Sequence, residues 1–400
     1  MSDFSDRRVP GLDLVRSAAI LGVVVSHYWP FYERFSAAAP LKFLGTIGVE
    51  LFFVLSGFLV GGILLRQAAD LGDGKFGGFR FANSPSFWVR RWFRTLPNYV
   101  LFFLLFLLYD QPWVSGHWRA WGLSFFFLQN LFTDLSQGTF GIAWSLCVEE
   151  WLYLLLPLAL AACTLRTKDS NRAALYSALI LIVVPTVLRC FTAGKPWDLG
   201  IRHIVIYRLD AIAYGVLLAY LARYRRPVFD ALAGDRWALV GITTLIGIWF
   251  HWYALGSVWV ENGQAGSGFR WFVMSILFFP AMSLAIVPIV AWASRLATIP
   301  WGFKRLVYRT SLYSYSMYLG HEFVFYFVHP VLYARVSGLF GEFHGLTFIA
   351  AGLDLTAVYV FSAAVYHLWE APMTRLRERF SSSPTATHIS STTELVASNG

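Results

Sequence analysis

An arginine at position 16 and a histidine at position 27 lie in one apolar run, Gly11-Leu12-Asp13-Leu14-Val15-Arg16-Ser17-Ala18-Ala19-Ile20-Leu21-Gly22-Val23-Val24-Val25-Ser26-His27. An imidazole can move protons near neutral pH, and a guanidinium is a fixed cation that grips anions. The run is long enough to cross a bilayer as a helix, yet lipid would reject Asp13, Arg16 and His27 alike. Eleven residues at about 100° each make nearly three turns, so Arg16 and His27 share a face roughly 16 Å apart along the axis. Asp13 joins the same stripe, which must face a bundle interior. Two plainer readings stay open: His27, beside Tyr28 and Trp29, as one more interfacial ring, and Asp13 as a structural partner that fixes Arg16.

Further along, Glu50 sits near the outer end of a second apolar run, at a depth where it could orient or charge His27. Gly48, Ser56 and Gly57 in that run read as small residues for close helix approach. The stretch Phe87 to Pro97 puts Arg90, Arg91 and Arg94 within five residues, ahead of a proline that can open the next helix. Arg91 and Arg94 are one turn apart. Such a cluster serves topology and anionic lipid, or else forms a fork for the phosphates of a cytoplasmic cofactor. Ser145, Glu149, Glu150 and Tyr153 enter a span together, and adjacent carboxylates diverge by about 100°, so at most one can face a shared site. Arg208 with Asp210 forms a second Arg and Asp pair, and the run Ser311 to Glu322 brings His321 inside a span. Packing networks and site walls are both open for these.

The elements that position these residues follow from composition. The chain of 400 residues is 57% hydrophobic and 14% charged, with a mean hydropathy of +0.56; soluble chains approach a quarter charged. This is a polytopic membrane protein. The net charge of +9 comes from Lys and Arg clustered between apolar runs, the pattern of cytoplasmic loops and not of a nucleic-acid surface. Cys147, Cys163 and Cys190 lie in or beside apolar segments without metal-like spacing and read as buried thiols. Arg16 inside the first run and Pro40 after Ala37-Ala38-Ala39 argue against a cleaved signal.

Spans are expected at 12–32, 46–66, 96–110, 144–163, 174–192, 204–223, 237–255, 270–293, 312–333 and 347–368. The stretch 119–143 is also apolar, but a full crossing there would carry Arg166, Lys168 and Arg172 outside, so it is read as re-entrant or interfacial. Ten spans with both termini cytoplasmic then keep every basic loop inside. Outer loops at 256–269 and 334–346 are expected to be short, and Trp29, Trp113, Trp118, Trp252 and Trp259 read as interfacial belts. Pro157, Pro185, Pro280 and Pro288 fall within spans. Residues 1–380 form the membrane domain, and 381–400 read as a disordered cytoplasmic tail.

Taken together, these residues resemble the integral-membrane acyltransferase family 3, bacterial enzymes that O-acylate surface polysaccharides, lipopolysaccharide, lipo-oligosaccharide signals and some macrolides. The resemblance covers most of residues 8–380. It rests on the Arg16 to His27 spacing, Gly48 to Phe58, Arg91-Trp92-Phe93-Arg94, Trp144 to Glu150, Arg208-Leu209-Asp210-Ala211, Ser314 to His321 and Glu370-Ala371-Pro372. It implies acyl-CoA, with acetyl-CoA the expected donor, His27 as the catalytic imidazole, Arg16 as its motif partner, and Arg91 with Arg94 at the donor side. Cys147 stands where the family often has serine, which leaves a thioester relay conceivable; no esterase-like domain follows the last span, which implies a stand-alone membrane enzyme.

The resulting expectation is an all-α bundle that moves an acyl group from cytoplasmic acyl-CoA to a hydroxyl of a glycan or glycolipid, or of a small molecule such as a macrolide, in a bacterial inner membrane. His27, Arg16, Glu149 and Glu150 are the catalytic candidates, Arg90, Arg91 and Arg94 the donor-binding ones. Asp13, Glu50, Ser145, Tyr153, Asp210 and His321 are the candidate substrate contacts, and no metal is expected. His27 could act as a base or carry the acyl group. The competing readings are a secondary transporter or lipid flippase, against which the lack of paired repeats counts, and a lipid-linked glycosyltransferase, which would want more acid than Glu33 in residues 33–45.

Overall fold

The computed structural model describes residues 8–28, 40–70, 84–109, 117–135, 140–259, 268–341 and 346–380, which form helices joined by turns and short irregular segments, with no strand among them. The tail at 381–400, Trp29 and Trp113 lie outside the described residues. In chain order the helices are α1 (Pro10–His27), α2 (Phe43–Asp70), α3 (Ser84–Tyr109), α4 (Trp118–Phe125), α5 (Trp144–Thr167), α6 (Ser170–Arg189), α7 (Val205–Tyr224), α8 (Arg226–Leu232), α9 (Asp235–Trp259), α10 (Phe269–Ala293), α11 (Trp301–Phe323), α12 (His329–Phe340), α13 (Leu346–Val365) and α14 (Ala371–Phe380).

Among the described residues, each expected span falls largely on helix, with 29–32 and 110 outside the described residues. Among the described residues, seven helical stretches are long and apolar enough to cross a membrane, eight if α8 and α9, bent by 58° at their junction, count as one span. The chain is therefore an integral membrane bundle, with ten as an approximate count. Helix α4 has eight residues, roughly 12 Å at 1.5 Å per residue, far short of a bilayer core. That agrees with an excursion at 119–143 that does not cross.

Three local expectations change. The arginine cluster is not a loop: α3 begins at Ser84 and runs through Pro97. The proline leaves the Phe93 carbonyl without its helical donor, yet the helix continues, and side chains from elsewhere hold the backbone beside it, with Tyr315 donating to Thr95 O at 2.7 Å and Trp369 to Pro97 O at 3.0 Å. Residues 334–340 belong to helix α12, which follows α11 through a π-helical turn at Val324–Val328, and α9 continues to Trp259, so neither expected outer loop is as long as the sequence suggested. Trp252 packs inside the bundle against Phe43 at 5.3 Å and Trp197 at 5.0 Å, whereas Trp118 is exposed.

Helix α7 forms the spine, packed along α2 and α6, while α1 lies between α2 and α11. The α2 and α7 backbones nearly touch. A Cβ built on Gly57 would stand 1.9 Å from Ile212 O, and one on Gly215 would stand 2.1 Å from Val54 O. Close approach through small residues, read from the sequence at Gly57, is what joins these helices.

Candidate active site

Helices α1 and α11 run alongside in the same direction, and the polar stripe of α1 meets α11 at both ends. At the arginine end, Ser311 donates to Asp13 at 2.6 Å, and Arg16 donates to Ser311 at 3.2 Å and to Asp13 at 3.4 Å. Arg8 adds a 2.6 Å ion pair to the same carboxylate. Asp13 is thus the anchor of Arg16, the plainer of its two sequence readings. Arg16 itself lines a cavity of about 100 Å³ together with Arg91, Arg94, Glu149, Tyr153 and Tyr318.

Helical continuity through α3 explains the arginine pair. Arg91 and Arg94, one turn apart, both reach this cavity, whereas Arg90, turned by about 100°, is not among its lining residues. Of the two adjacent carboxylates, Glu149 faces the cavity and Glu150 does not. Glu149 accepts hydrogen bonds from Ser56 at 3.0 Å and from Tyr153 at 2.9 Å. Ser145 shares a 2.6 Å hydrogen bond with Tyr318, on the same wall. Aromatic and aliphatic side chains, including Phe52, Phe53 and Leu55, complete it. Cys147 is fully buried and off this wall.

At the other end of α1, the rings of His27 and His321 lie 5.0 Å apart. His27 is exposed, and His321 is fully buried. Each Nδ1 meets the carbonyl four residues back, Val23 O at 2.8 Å and Met317 O at 3.0 Å. A carbonyl only accepts, so each Nδ1 carries a proton, and in the neutral ring Nε2 is the nitrogen with the free lone pair. Glu322 completes the cluster, its carboxylate within 4.8 Å of the ligand nitrogens of both rings.

Glu50 and Asp210 sit elsewhere than the sequence suggested. Glu50 receives Arg208 and not His27, and Asp210 receives Arg189 at 2.7 Å and not Arg208. Residues two apart on a helix point to opposite sides, so Arg208 and Asp210 cannot pair with each other. All four are essentially inaccessible, and Arg208 also lies 3.8 Å over the Phe279 ring. These pairs tie α7 to α2 and α6. A further network closes beside the histidine end: Tyr28 and His329 both bond Asp354. Beyond the start of α5, His203 stacks on Trp144 at 4.4 Å and bonds Asp134 at 2.9 Å. Burial and the neighbouring Arg202 hold the His203 imidazole below its usual value, against the opposing pull of Asp134.

Sequence reasoning gave no role to Glu322, Asp354, His329 or Arg189. Asp354, between Leu353 and Leu355, and Glu322, next to His321, are acids within apolar spans, the same signal that marked Arg16.

The acyltransferase 3 family model, described as an acyltransferase domain, matches residues 9–367. The chain belongs to that family. It is similar to the O-acetyltransferase OatA of Staphylococcus aureus (strain NCTC 8325 / PS 47), 26% identical over 82% of this chain and 52% of the relative. It is also similar to the peptidoglycan O-acetyltransferase OatA of Listeria monocytogenes serovar 1/2a, 30% identical over 38% of this chain and 24% of the relative. The chain spans about half the length of the curated relatives that match along most of it. No solved structure matches it.

Proposed function

We propose that the chain moves an acyl group, acetyl by preference, from acyl-CoA to a hydroxyl of a glycan or glycolipid, with His27 as the base. One observation carries this reading: a single helix, α1, joins a guanidinium-lined cavity to an imidazole, and both ends face α11. Three arginines suit an anionic donor, since guanidinium forks match phosphate oxygens. Arg91 and Arg94 hold the CoA phosphates, with Arg90 at the margin, and the thioester extends past Glu149, Tyr153 and the Ser145–Tyr318 pair toward His27.

The chemistry balances without further groups. Nε2 of His27 takes the proton of the acceptor hydroxyl, whose oxygen attacks the thioester carbonyl. The carbon–sulfur bond then breaks, and the CoA thiolate leaves with the proton returned from His27. Glu322 offsets the charge of the transient imidazolium. The names of the OatA relatives support a glycan acceptor. The arginine end faces the cytoplasm in this reading, in a bacterial plasma membrane with both termini inside. Contacts that gather Arg8, Arg226 and Arg295 around the start of α1 and the turn after α10 support that orientation.

The test is His27→Ala, checked for folding by gel filtration and assayed with acyl-CoA and mass analysis of surface glycans. Transfer should fall at least about 100-fold, the usual contribution of a positioned base. A folded variant that transfers at the normal rate overturns the proposal.

A further inference from the structure

His27, His321 and Glu322 place one ligand atom each within 4.8 Å of one another. The Nδ1 contacts to Val23 and Met317 put both ring protons on the far side, so Nε2 is the nitrogen left to bind anything. On the fully buried His321, Nε2 has no hydrogen-bond partner. With both rings neutral and the carboxylate ionised, three acceptors converge with no donor between them, an arrangement that draws in a proton or a cation.

From this geometry we propose a binding site for a divalent transition-metal cation of the zinc type, held by Nε2 of His27, Nε2 of His321 and the Glu322 carboxylate. Two imidazoles and a carboxylate are a donor set of open zinc sites, and an Nδ1–H fixed by a backbone carbonyl is the usual outer partner of a ligating imidazole. Tetrahedral bonds of 2.0–2.2 Å put ligand atoms roughly 3.3 Å apart. The exposed His27 and half-buried Glu322 close the difference by side-chain rotation. Magnesium and calcium prefer oxygen ligands and would be weak here. Exposure of His27 gives the cation its way in from the histidine end of the bundle.

A bound cation occupies the lone pair with which His27 would take a proton, so it switches transfer off. That consequence rests on the reading of His27 as base; the binding does not. Cobalt reports on both. Tag-free full-length protein in detergent, stripped with chelator, is titrated with Co²⁺ near neutral pH. The expected result is uptake of one Co²⁺ per chain with the intense visible bands of tetrahedral cobalt, displaced by Zn²⁺ and lost in His321→Gln and Glu322→Gln. Zinc X-ray absorption on the wild type, which needs no variant, should show two imidazoles. No stoichiometric uptake, no imidazole scattering, or bands undiminished in both folded variants overturns the site. Zinc should halt acyl transfer over the range in which it displaces cobalt. Binding that leaves transfer untouched keeps the site and removes the base role of His27.

Discussion

Tyr28 donates its hydroxyl to Asp354 at 2.7 Å, across 326 positions of sequence. The same carboxylate oxygen meets Nδ1 of His329 at 2.6 Å, and the Tyr28 ring packs 5.2 Å from Phe325. The residue that follows His27 is therefore fastened to α13 and α12, which fixes the backbone that carries the imidazole. Asp354→Asn should lower kcat about tenfold, the worth of a weakened charge-assisted hydrogen bond of roughly 1.5 kcal/mol, while KM for acyl-CoA holds. Tyr28→Phe should act in the same direction. Steady-state kinetics decide: a change confined to donor KM would remove Asp354 from positioning.

Arg91 and Arg94 invite the opposite split. Each faces the cavity, and each charge-assisted phosphate contact is worth about 1.5–3 kcal/mol. Arg91→Gln or Arg94→Gln should raise KM for acyl-CoA about tenfold or more with a smaller change in kcat. Lysine should restore only part, since it lacks the planar fork. Unaltered donor saturation in the double variant would detach the pair from donor binding.

Helix contact supplies a stability prediction. Because a methyl group at Gly57 would overlap Ile212 O, Gly57→Ala must push α2 from α7. The expected result is a large loss of folded protein in detergent, seen as aggregation on gel filtration. Alanine at Gly62, whose added Cβ would meet only Arg66 Nη1 at 3.8 Å, should be tolerated. Equal behaviour of the two variants would contradict the tight α2 and α7 contact.

Arg189 and Asp210 are both inaccessible. Removing only the cation with Arg189→Met strands a buried carboxylate and should cost about 3–5 kcal/mol. Arg189→Met with Asp210→Leu removes both charges and should recover much of that loss. Thermal unfolding of the three proteins in one detergent measures this. A double variant no better than the single one would show that the pair contributes more than mutual neutralisation.

Much of this arrangement could be read from the chain because membranes penalise charge. Arg16, His27 and the one-turn spacing of Arg91 and Arg94 were legible from periodicity alone, and the structure puts them on the faces that periodicity required. Pairing was not legible. Arg208 next but one to Asp210 looks like a pair in a string of letters, yet each turns to a different helix, and only packing says which. Helix continuity through Pro97 was hidden for a similar reason: the side chains packed on the backbone there, Tyr315 on Thr95 O and Trp369 on Pro97 O, lie more than two hundred residues away. Glu322 and Asp354 carried the right signal and lacked only a motif to draw the eye.

The π-helical turn at Val324–Val328 stands between His321 and His329. A π turn holds one residue more than the helix around it needs, so it acts as a stored insertion. Deleting a residue there would let the helix close into ordinary α geometry while the residues on either side stay close to their positions. His321 would keep its place beside His27, and His329 its place at Asp354, whereas a deletion in a regular turn between them would swing His329 away by about 100°. The one place between the two histidines that can lose a residue without turning one against the other is therefore this five-residue turn, which keeps the imidazole pair and the Asp354 anchor in register.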